Sequence, residues 1–209
     1  MGAADEGVPR KVIHLGGGPA TLLEILDDQI ERRERVARDS FPEPAADPSW
    51  RFEVPGFDPF REREVETWLT VANGESGTRG ALEEGSAVST PATFVAGVYG
   101  DGTDEPRFRQ PVPAPDWTGL RLLVQGSVFT VTNGELLEHR RVLDMRHGVV
   151  YRYWRQRGRN GRTVDTRTAR FASLADRHVL ALRAEAAPVD FSGRLMWEGA
   201  VGITHAGGP

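Results

Sequence analysis

From Trp50 onward, apolar and polar residues alternate in short runs, and glycine-containing pairs separate many of the runs. A hydrophobic period of two is typical of strands that bury one face. It predicts strands over residues 51–54, 62–72, 92–99, 119–124, 127–132, 135–145, 148–156, 162–171, 178–186 and 193–200. Asn-Gly pairs, which tolerate the positive φ angles of hairpin turns, stand at 73–74, 133–134 and 160–161, and similar punctuation stands at 125–126 and 147–148. We therefore expect a mostly β fold, an antiparallel β-sandwich of two large sheets.

The first 49 residues differ from the rest of the chain. Thr21 and Glu24 fit a capping box, and the apolar residues that follow recur at helical spacing. This pattern predicts a helix over residues 21–38. The run "FPEPAADPSW" has three prolines in ten residues and is typical of a linker. We therefore divide the chain into an N-terminal extension, 1–49, with a helix and a proline-rich linker, and a β domain, 50–209.

Composition excludes several functional classes. The chain has no cysteine, which excludes disulfides, thiolate metal sites and a cysteine nucleophile. The start is acidic, and no apolar run follows that could serve as a signal peptide or a membrane span. We therefore expect a cytoplasmic protein without a membrane partner.

Motifs for cofactors and metals are weak. Gly16 and Gly18 precede the predicted helix, but Thr21 replaces the third glycine of a dinucleotide-binding pattern, and no second βαβ unit follows. A turn that leads into a capped helix explains these residues better. The histidines have no metal-ligand spacing, so we expect no metal and no cofactor; they are His14, His139, His147, His178 and His205.

Residues 140–170 contain ten arginines and two acidic residues, with Tyr151, Tyr153 and Trp154 among them. A basic sheet with interleaved aromatic residues can bind nucleic acid through phosphate contacts and base stacking. Alternatively, the arginines occupy solvent faces of adjacent strands and pair with carboxylates elsewhere. The net charge of −4 favours the second interpretation. We therefore expect no nucleic-acid partner.

Glu83 and Glu84 raise the possibility of the paired carboxylates of a glycosidase. Adjacent residues on an extended strand point to opposite faces. Two such glutamates cannot easily lie on either side of one glycosidic bond, so we expect no catalytic pair from these residues. We predict no catalytic residue in the chain.

Four blocks in order resemble glycoside hydrolase family 65. "ETWLTVANGESGTRGALEEG" is similar to the family block F-x-x-x-N-G-x-x-G-x-R-G-x-x-E-E-G, and "PATFVAGVYG" is similar to the strand that follows it. "LLEHRRVLDMRHGVVYRYW" resembles the strand pair R-x-L-D-M-r-x-G-x-x-x-R, and "VDTRTARFASLADRHVLALR" resembles R-F-x-S-x-x-x-x-H. The resemblance covers most of residues 50–204 and leaves residues 1–49 out.

The resemblance implies the N-terminal domain of inverting phosphorylases and hydrolases of α-linked glucose disaccharides such as maltose, kojibiose and trehalose. Its fold would be a large β-sandwich, or super-sandwich, of the galactose mutarotase type. The partners implied are a separate (α/α)6 catalytic barrel, an α-glucoside sugar and a second copy in a homodimer. The co-substrate of the full-length enzyme would be inorganic phosphate, which gives β-glucose 1-phosphate. The sandwich is expected to be incomplete at the C-terminus and inactive without the barrel.

Within this resemblance, the segment from Leu69 to Gly85 is the candidate site. We expect Asn73-Gly74 to turn the chain, Gly77 and Gly80 to allow close approaches, and Arg79 to pair with Glu83 or Glu84. The loop either docks against the barrel near its sugar site or is a structural corner that substrate never contacts. The substrate-binding or barrel-docking candidates are Asn73, Gly74, Arg79, Gly80, Glu83 and Glu84.

The family usually has an aromatic or aliphatic residue after Asn-Gly, where this chain has Glu75-Ser76. The charge indicates a less buried turn or a changed contact with the partner domain. An alternative function is a stand-alone carbohydrate-binding or scaffold domain. Its stacking platform would come from the tryptophans, most of which we expect in the core; they are Trp50, Trp68, Trp117, Trp154 and Trp197.

Overall fold

The computed structural model describes residues 41–101 and 109–202. Its α-helix, α1, is Glu62–Trp68, and a 3-10 turn covers Pro48–Trp50. The strands are β1 Arg51–Pro55, β2 Val71–Ala72, β3 Ser76–Thr78, β4 Thr93–Asp101, β5 Arg109–Ala114, β6 Asp116–Val124, β7 Ser127–Phe129, β8 Gly134–Asp144, β9 Val149–Gly158, β10 Thr163–Ala172, β11 Leu180–Pro188 and β12 Leu195–Gly202.

The chain divides into two compact units, Met1–Pro42 and Glu43–Pro209. The N-terminal helix predicted over residues 21–38 lies outside the described residues. The second unit contains every strand named above and carries the whole of the candidate site.

The mostly β, antiparallel architecture is confirmed. A five-stranded sheet has the order β1-β8-β9-β10-β11, a four-stranded sheet the order β2-β3-β4-β5, and a three-stranded sheet the order β12-β6-β7. All strand pairs are antiparallel. The strands are therefore shared among three sheets, where the sequence predicted two large ones.

Several predicted turns have the expected geometry. Gln125 and Gly126 have φ angles of 52° and 87° and join β6 to β7 as a tight hairpin. Asn73-Gly74 joins β2 to β3. The prediction was wrong for Asn133-Gly134, because β7 and β8 belong to different sheets.

The predicted strand over residues 62–72 is wrong. Residues 62–68 form α1, and strand structure begins only at Val71. The buried face of this segment is Glu62, Val65, Glu66 and Leu69, which follow the helical spacing i, i+3, i+4, i+7. Two of these four positions are glutamates, so a count of apolar residues alone does not reveal the helix.

Two strands were not predicted, β3 and β5. β3 has three residues, fewer than a period-two pattern needs to be recognised. β5 contains Pro111 and Pro113, and proline within a run argues against a strand because it has no N–H to donate. It lies at the edge of the four-stranded sheet, where a missing N–H donor is tolerated.

Among residues 41–101 and 109–202, two apolar clusters pack against the five-stranded sheet. One joins α1 and β2 to β9 through Val65, Leu69, Val71 and Val150. The other joins the three-stranded sheet to β10, and its buried members are Leu122, Val124, Phe129 and Val164. A third set of buried side chains on the inner face of the five-stranded sheet is charged.

Candidate functional site

Three arginines lie on the inner face of adjacent strands in the five-stranded sheet. Arg141 in β8 is directly opposite Arg152 in β9, and Arg170 lies in β10. Each is at most 2% exposed. Buried charges of one sign are very costly unless opposite charges pair with them.

The partner of Arg141 comes from α1. Arg141 Nη1 donates to Glu62 Oε1 at 2.6 Å, and Nη2 donates to Glu62 Oε2 at 2.8 Å. This bidentate geometry suits a guanidinium and a carboxylate. The ion pair fixes α1 against β8.

The partners of Arg152 are the two adjacent glutamates of the loop between β3 and β4. Arg152 Nη1 donates to Glu83 Oε2 at 2.7 Å and to Glu84 Oε2 at 2.5 Å, and Nη2 donates to Glu84 Oε1 at 2.8 Å. The expectation that the two carboxylates point apart is therefore wrong. They lie in a turn closed by Gly85 N, which donates to Leu82 O at 3.1 Å, so both side chains converge.

Glu83 has a second set of partners. Thr168 Oγ1 donates to Glu83 Oε1 at 3.0 Å, and Arg170 Nη1 is 3.8 Å from the same oxygen while it donates to Ala81 O. Burial by itself raises the pKa of Glu83, but the positive charges of Arg170 and Arg152 lower it to about 2. The carboxylate is therefore ionised at neutral pH.

His139 completes the network on β8 as a neutral ring. Its Nδ1 is 2.8 Å from Gly56 O, a carbonyl that can only accept, so Nδ1 carries the proton. Its Nε2 then accepts from Arg152 Nε at 3.0 Å. Burial and the charge of Arg152 lower the pKa of His139 to about 3, which agrees with this tautomer.

Arg79 does not pair with Glu83 or Glu84, and this prediction was wrong. Its Nη2 donates to Arg63 O at 2.9 Å and lies 3.4 Å from Glu66 Oε2. Glu66 is closer because α1 presents its buried face to the loop, whereas both other glutamates are engaged by Arg152.

Glycine is required at one loop position by close packing. A Cβ on Gly80 would lie 2.4 Å from Leu69 Cβ and 2.9 Å from Leu69 O, which no relaxed structure allows. Gly80 N also donates to Glu66 O at 2.8 Å. The expected close approach at Gly80 is confirmed. At Gly77 it is much weaker, because a Cβ there would lie 3.4 Å from Ala72 Cβ.

Asn73 is buried, and its side-chain amide is used within the domain. Its Nδ2 donates to Ser173 O and Arg177 O at 2.8 and 3.0 Å. Its Oδ1 accepts from Glu75 N and Ser76 N at 3.0 and 2.9 Å. The predicted turn is therefore tied to the end of the five-stranded sheet, where the chain leaves β10.

The sequence profile of glycosyl hydrolase family 65, N-terminal domain, matches residues 53–201. The chain belongs to family 65. It is 35% identical over 128 residues to a kojibiose phosphorylase of Caldanaerobacter subterraneus subsp. tengcongensis, which is 61% of this chain and 16% of that protein. It is 29% identical over 149 residues to an alpha,alpha-trehalose phosphorylase of Thermoanaerobacter brockii, 65% of this chain and 19% of that protein.

A solved structure supports the fold of this family 65 domain. A protein assigned as a kojibiose phosphorylase from the human microbiome matches with a TM-score of 0.55 at 17% identity, over 63% of this chain and 19% of that one. The family 65 domain thus spans less than a fifth of the length of these relatives.

The sequence alone did not reveal the buried half of the candidate site. It placed the arginines of residues 140–170 on solvent faces, and for Arg155, Arg157 and Arg167 the predicted pairing is confirmed, with Asp165, Glu135 and Glu185. For Arg141, Arg152 and Arg170 it was wrong. The sequence signal for burial was the strand period of two. Arg152 lies two residues from Val150 and two from Trp154, so its side chain points to the same face of β9, and both of those residues are buried.

The tryptophans of the family 65 domain are divided between core and surface, and the partly buried Trp197 packs against the apolar cluster of the three-stranded sheet. Trp154 is 4% exposed, whereas Trp50 and Trp68 are 45% and 39% exposed. Trp68 packs edge-on against Phe52, with ring centroids 5.6 Å apart. Glu75, in the turn between β2 and β3, is partly exposed.

Within residues 41–101 and 109–202, no group of His, Asp and Glu side chains is arranged to hold a metal ion. No helix in the same described part of the chain has the length and apolarity to cross a membrane.

Proposed function

We propose that this chain is a non-catalytic β-sandwich domain of a family 65 enzyme that acts on α-linked glucose disaccharides. The family match and the phosphorylase relatives support the substrate class. The full-length enzyme would use inorganic phosphate as co-substrate, or water if it is a hydrolase, and would act in the cytoplasm.

The fixed state of the two loop glutamates carries the proposal. An inverting glycosidase needs a general acid with a raised pKa and a second group across the bond. Glu83 has its pKa lowered to about 2, and both Glu83 and Glu84 are buried against Arg152. Neither buried carboxylate reaches a sugar, and the ionised carboxylate of Glu83 has no proton to donate at neutral pH.

The domain would support the catalytic barrel through the surface next to the candidate loop. β4 pairs with β3, which leads into the loop, and both faces of β4 are exposed. Val95, Val98 and Tyr99 in β4 and Val112 in β5 are 38–56% exposed. Exposed apolar side chains grouped on one pair of strands are typical of an interaction site. We propose that the catalytic barrel docks on the surface formed by β4 and β5. A second copy of the enzyme would be a further partner.

The paired arginines argue against the nucleic-acid alternative. Arg155, Arg157 and Arg167 each form an ion pair with a carboxylate on a neighbouring strand. The basic run therefore does not present a strip of uncompensated positive charge. A mobility-shift assay at low salt is expected to show no binding.

A domain exchange tests the proposal. The matched 128-residue segment of the kojibiose phosphorylase of Caldanaerobacter subterraneus subsp. tengcongensis is replaced by that of this chain. We expect a soluble chimera that retains phosphorolysis of kojibiose. The same chimera with Val98→Lys and Val112→Lys is expected to lose barrel contact and activity. A soluble, folded chimera without any activity would contradict the proposal.

A further inference from the structure

We propose that the outer face of the five-stranded sheet carries a saccharide-binding groove. The groove encloses about 400 Å³, and side chains from β8, β9, β10 and β11 line it. It lies on the face opposite to the one that buries Arg141 and Arg152, so it is separate from the candidate loop and its ion pairs.

The strand register brings the lining residues together in two cross-strand rows. The first row is Arg140, Tyr153, Arg167 and Glu185, and the second row is Glu138, Arg155, Asp165 and Ala187. Neighbouring strands are about 4.8 Å apart, and residues in register project to the same side. The rows thus form a continuous surface four strands wide.

The shape of the groove follows from residue size and from one fixed aromatic ring. Ala187 ends the second row with a side chain smaller than those of its neighbours Asp165 and Glu185. The guanidinium of Arg140 lies over the ring of Tyr153, 4.8 Å from the ring centroid, and the Tyr153 hydroxyl donates to Glu43 Oε2 at 3.4 Å. Tyr153 is therefore held as a wall of the groove.

The charges of the groove balance. Arginines 140, 155 and 167 face three carboxylates, those of Glu138, Asp165 and Glu185. Arg155 Nε and Nη2 donate to Asp165 Oδ1 and Oδ2 at 2.5 and 2.7 Å. A balanced set of charges creates no strong field for an anion or a polyelectrolyte. This favours a neutral polar ligand.

The pair of Arg155 and Asp165 has the chemistry to bind hydroxyl groups. A guanidinium has five N–H donors and a carboxylate about four acceptor positions, so a bidentate contact uses only part of either. Both side chains are more than 40% exposed. Donors beside acceptors match vicinal sugar hydroxyls, each of which donates and accepts, and Ala187 offers apolar contact for the C–H face.

A titration with a matched control tests this inference. The chain is titrated with kojibiose, maltose, trehalose, cellobiose and inorganic phosphate, and binding is followed by calorimetry and by amide chemical shifts. We expect at least one disaccharide to bind, with shifts concentrated on β9, β10 and β11. The choice of α-glucosides as ligands rests on the proposed function. The inference that the groove binds a saccharide rests on its lining residues alone.

The variants Arg155→Gln and Asp165→Asn are each expected to weaken binding at least tenfold. Arg157→Gln is the control and is expected to leave affinity unchanged. Arg157 lies on the same strand and face, is 49% exposed against 46% for Arg155, and pairs with Glu135 at 3.0 Å. Thermal melts confirm that each variant is folded.

Several outcomes would overturn the inference. The first is that no saccharide binds at about 10 mM, a concentration at which a Kd of 1 mM gives near saturation. The second is that the unchanged chain and both groove variants bind with equal affinity. The third is that inorganic phosphate alone binds. Binding of cellobiose but of no α-glucoside would keep the groove and remove support from the proposed substrate class.

Discussion

At the scale of single residues, Arg152 is predicted to be the most important charged side chain for stability. Its guanidinium neutralises the buried carboxylates of Glu83 and Glu84. Arg152→Met keeps most of the volume but removes the ion-pair partner of Glu84 and the nearer of the two arginines beside Glu83. Removing one partner of a buried pair costs about 3–5 kcal/mol. We expect this loss in the free energy of unfolding measured in urea.

Arg155→Met is the matched control for that prediction. Arg155 lies on the same strand, and its pair with Asp165 is exposed. Exposed pairs contribute about 0–1 kcal/mol, so little change is expected. Equal effects of the two substitutions would show that the buried network does not determine stability.

The buried ionisable groups predict acid instability. The unfolded chain binds a proton on His139 near pH 6.5, and the folded chain binds it only near pH 3. The free energy of unfolding should therefore fall as pH decreases below 6.5, by at most about 1.4 kcal/mol per pH unit from this group. Glu83, with a folded pKa of about 2 against 4.5, adds a further loss below pH 4.5.

Urea unfolding between pH 8 and pH 4 measures this dependence, and His139→Gln separates the two groups. Without the imidazole the slope between pH 6.5 and 4.5 should flatten, whatever the absolute stability of the variant. An unchanged slope would mean that His139 is not the neutral buried ring that the contacts indicate.

At the scale of elements, the packing of α1 against the loop makes Gly80 irreplaceable. Gly80→Ala would place a Cβ 2.4 Å from Leu69 Cβ at the end of α1. Overpacking of this kind costs about 1–3 kcal/mol. Gly77→Ala, with its nearest contact at 3.4 Å, is expected to cost less. Thermal unfolding of both variants compares them, and a reversed order would refute the packing argument.

The elements that the sequence predicted correctly are those with local signals. The alternation of apolar and polar residues locates β1, β4, β6 and most later strands, and Gln125-Gly126 locates a hairpin, because each signal is contained in a few neighbouring residues. α1 was mistaken for a strand because Glu62 and Glu66 hold buried positions that are usually apolar.

The buried ion pairs could not be predicted in the same way. Arg141 pairs with Glu62 across 79 positions in the sequence, and Arg152 pairs with Glu83 across 69. The strand period of two shows which side chains face inward. Only the packing of α1 and the loop on the sheet shows which carboxylates pair with the buried arginines. For the same reason Arg79 was assigned to the wrong glutamates.

At the scale of the whole molecule, the exposed apolar surface of β4 and β5 predicts self-association of the isolated chain. Val98, Tyr99 and Val112 are 41–56% exposed. Such surfaces associate when their partner is absent. Sedimentation velocity should show concentration-dependent association, which Val98→Lys with Val112→Lys reduces. A chain that stays monomeric at all concentrations would show that the apolar surface of β4 and β5 does not require a partner.

We propose that this family 65 domain has no catalytic activity of its own, because its acidic loop is held in buried ion pairs. The most direct test incubates the purified chain with kojibiose, maltose and trehalose, with and without inorganic phosphate, and measures glucose and glucose 1-phosphate. We predict no product above the rate without protein. Product that increases in proportion to the chain concentration would contradict the claim.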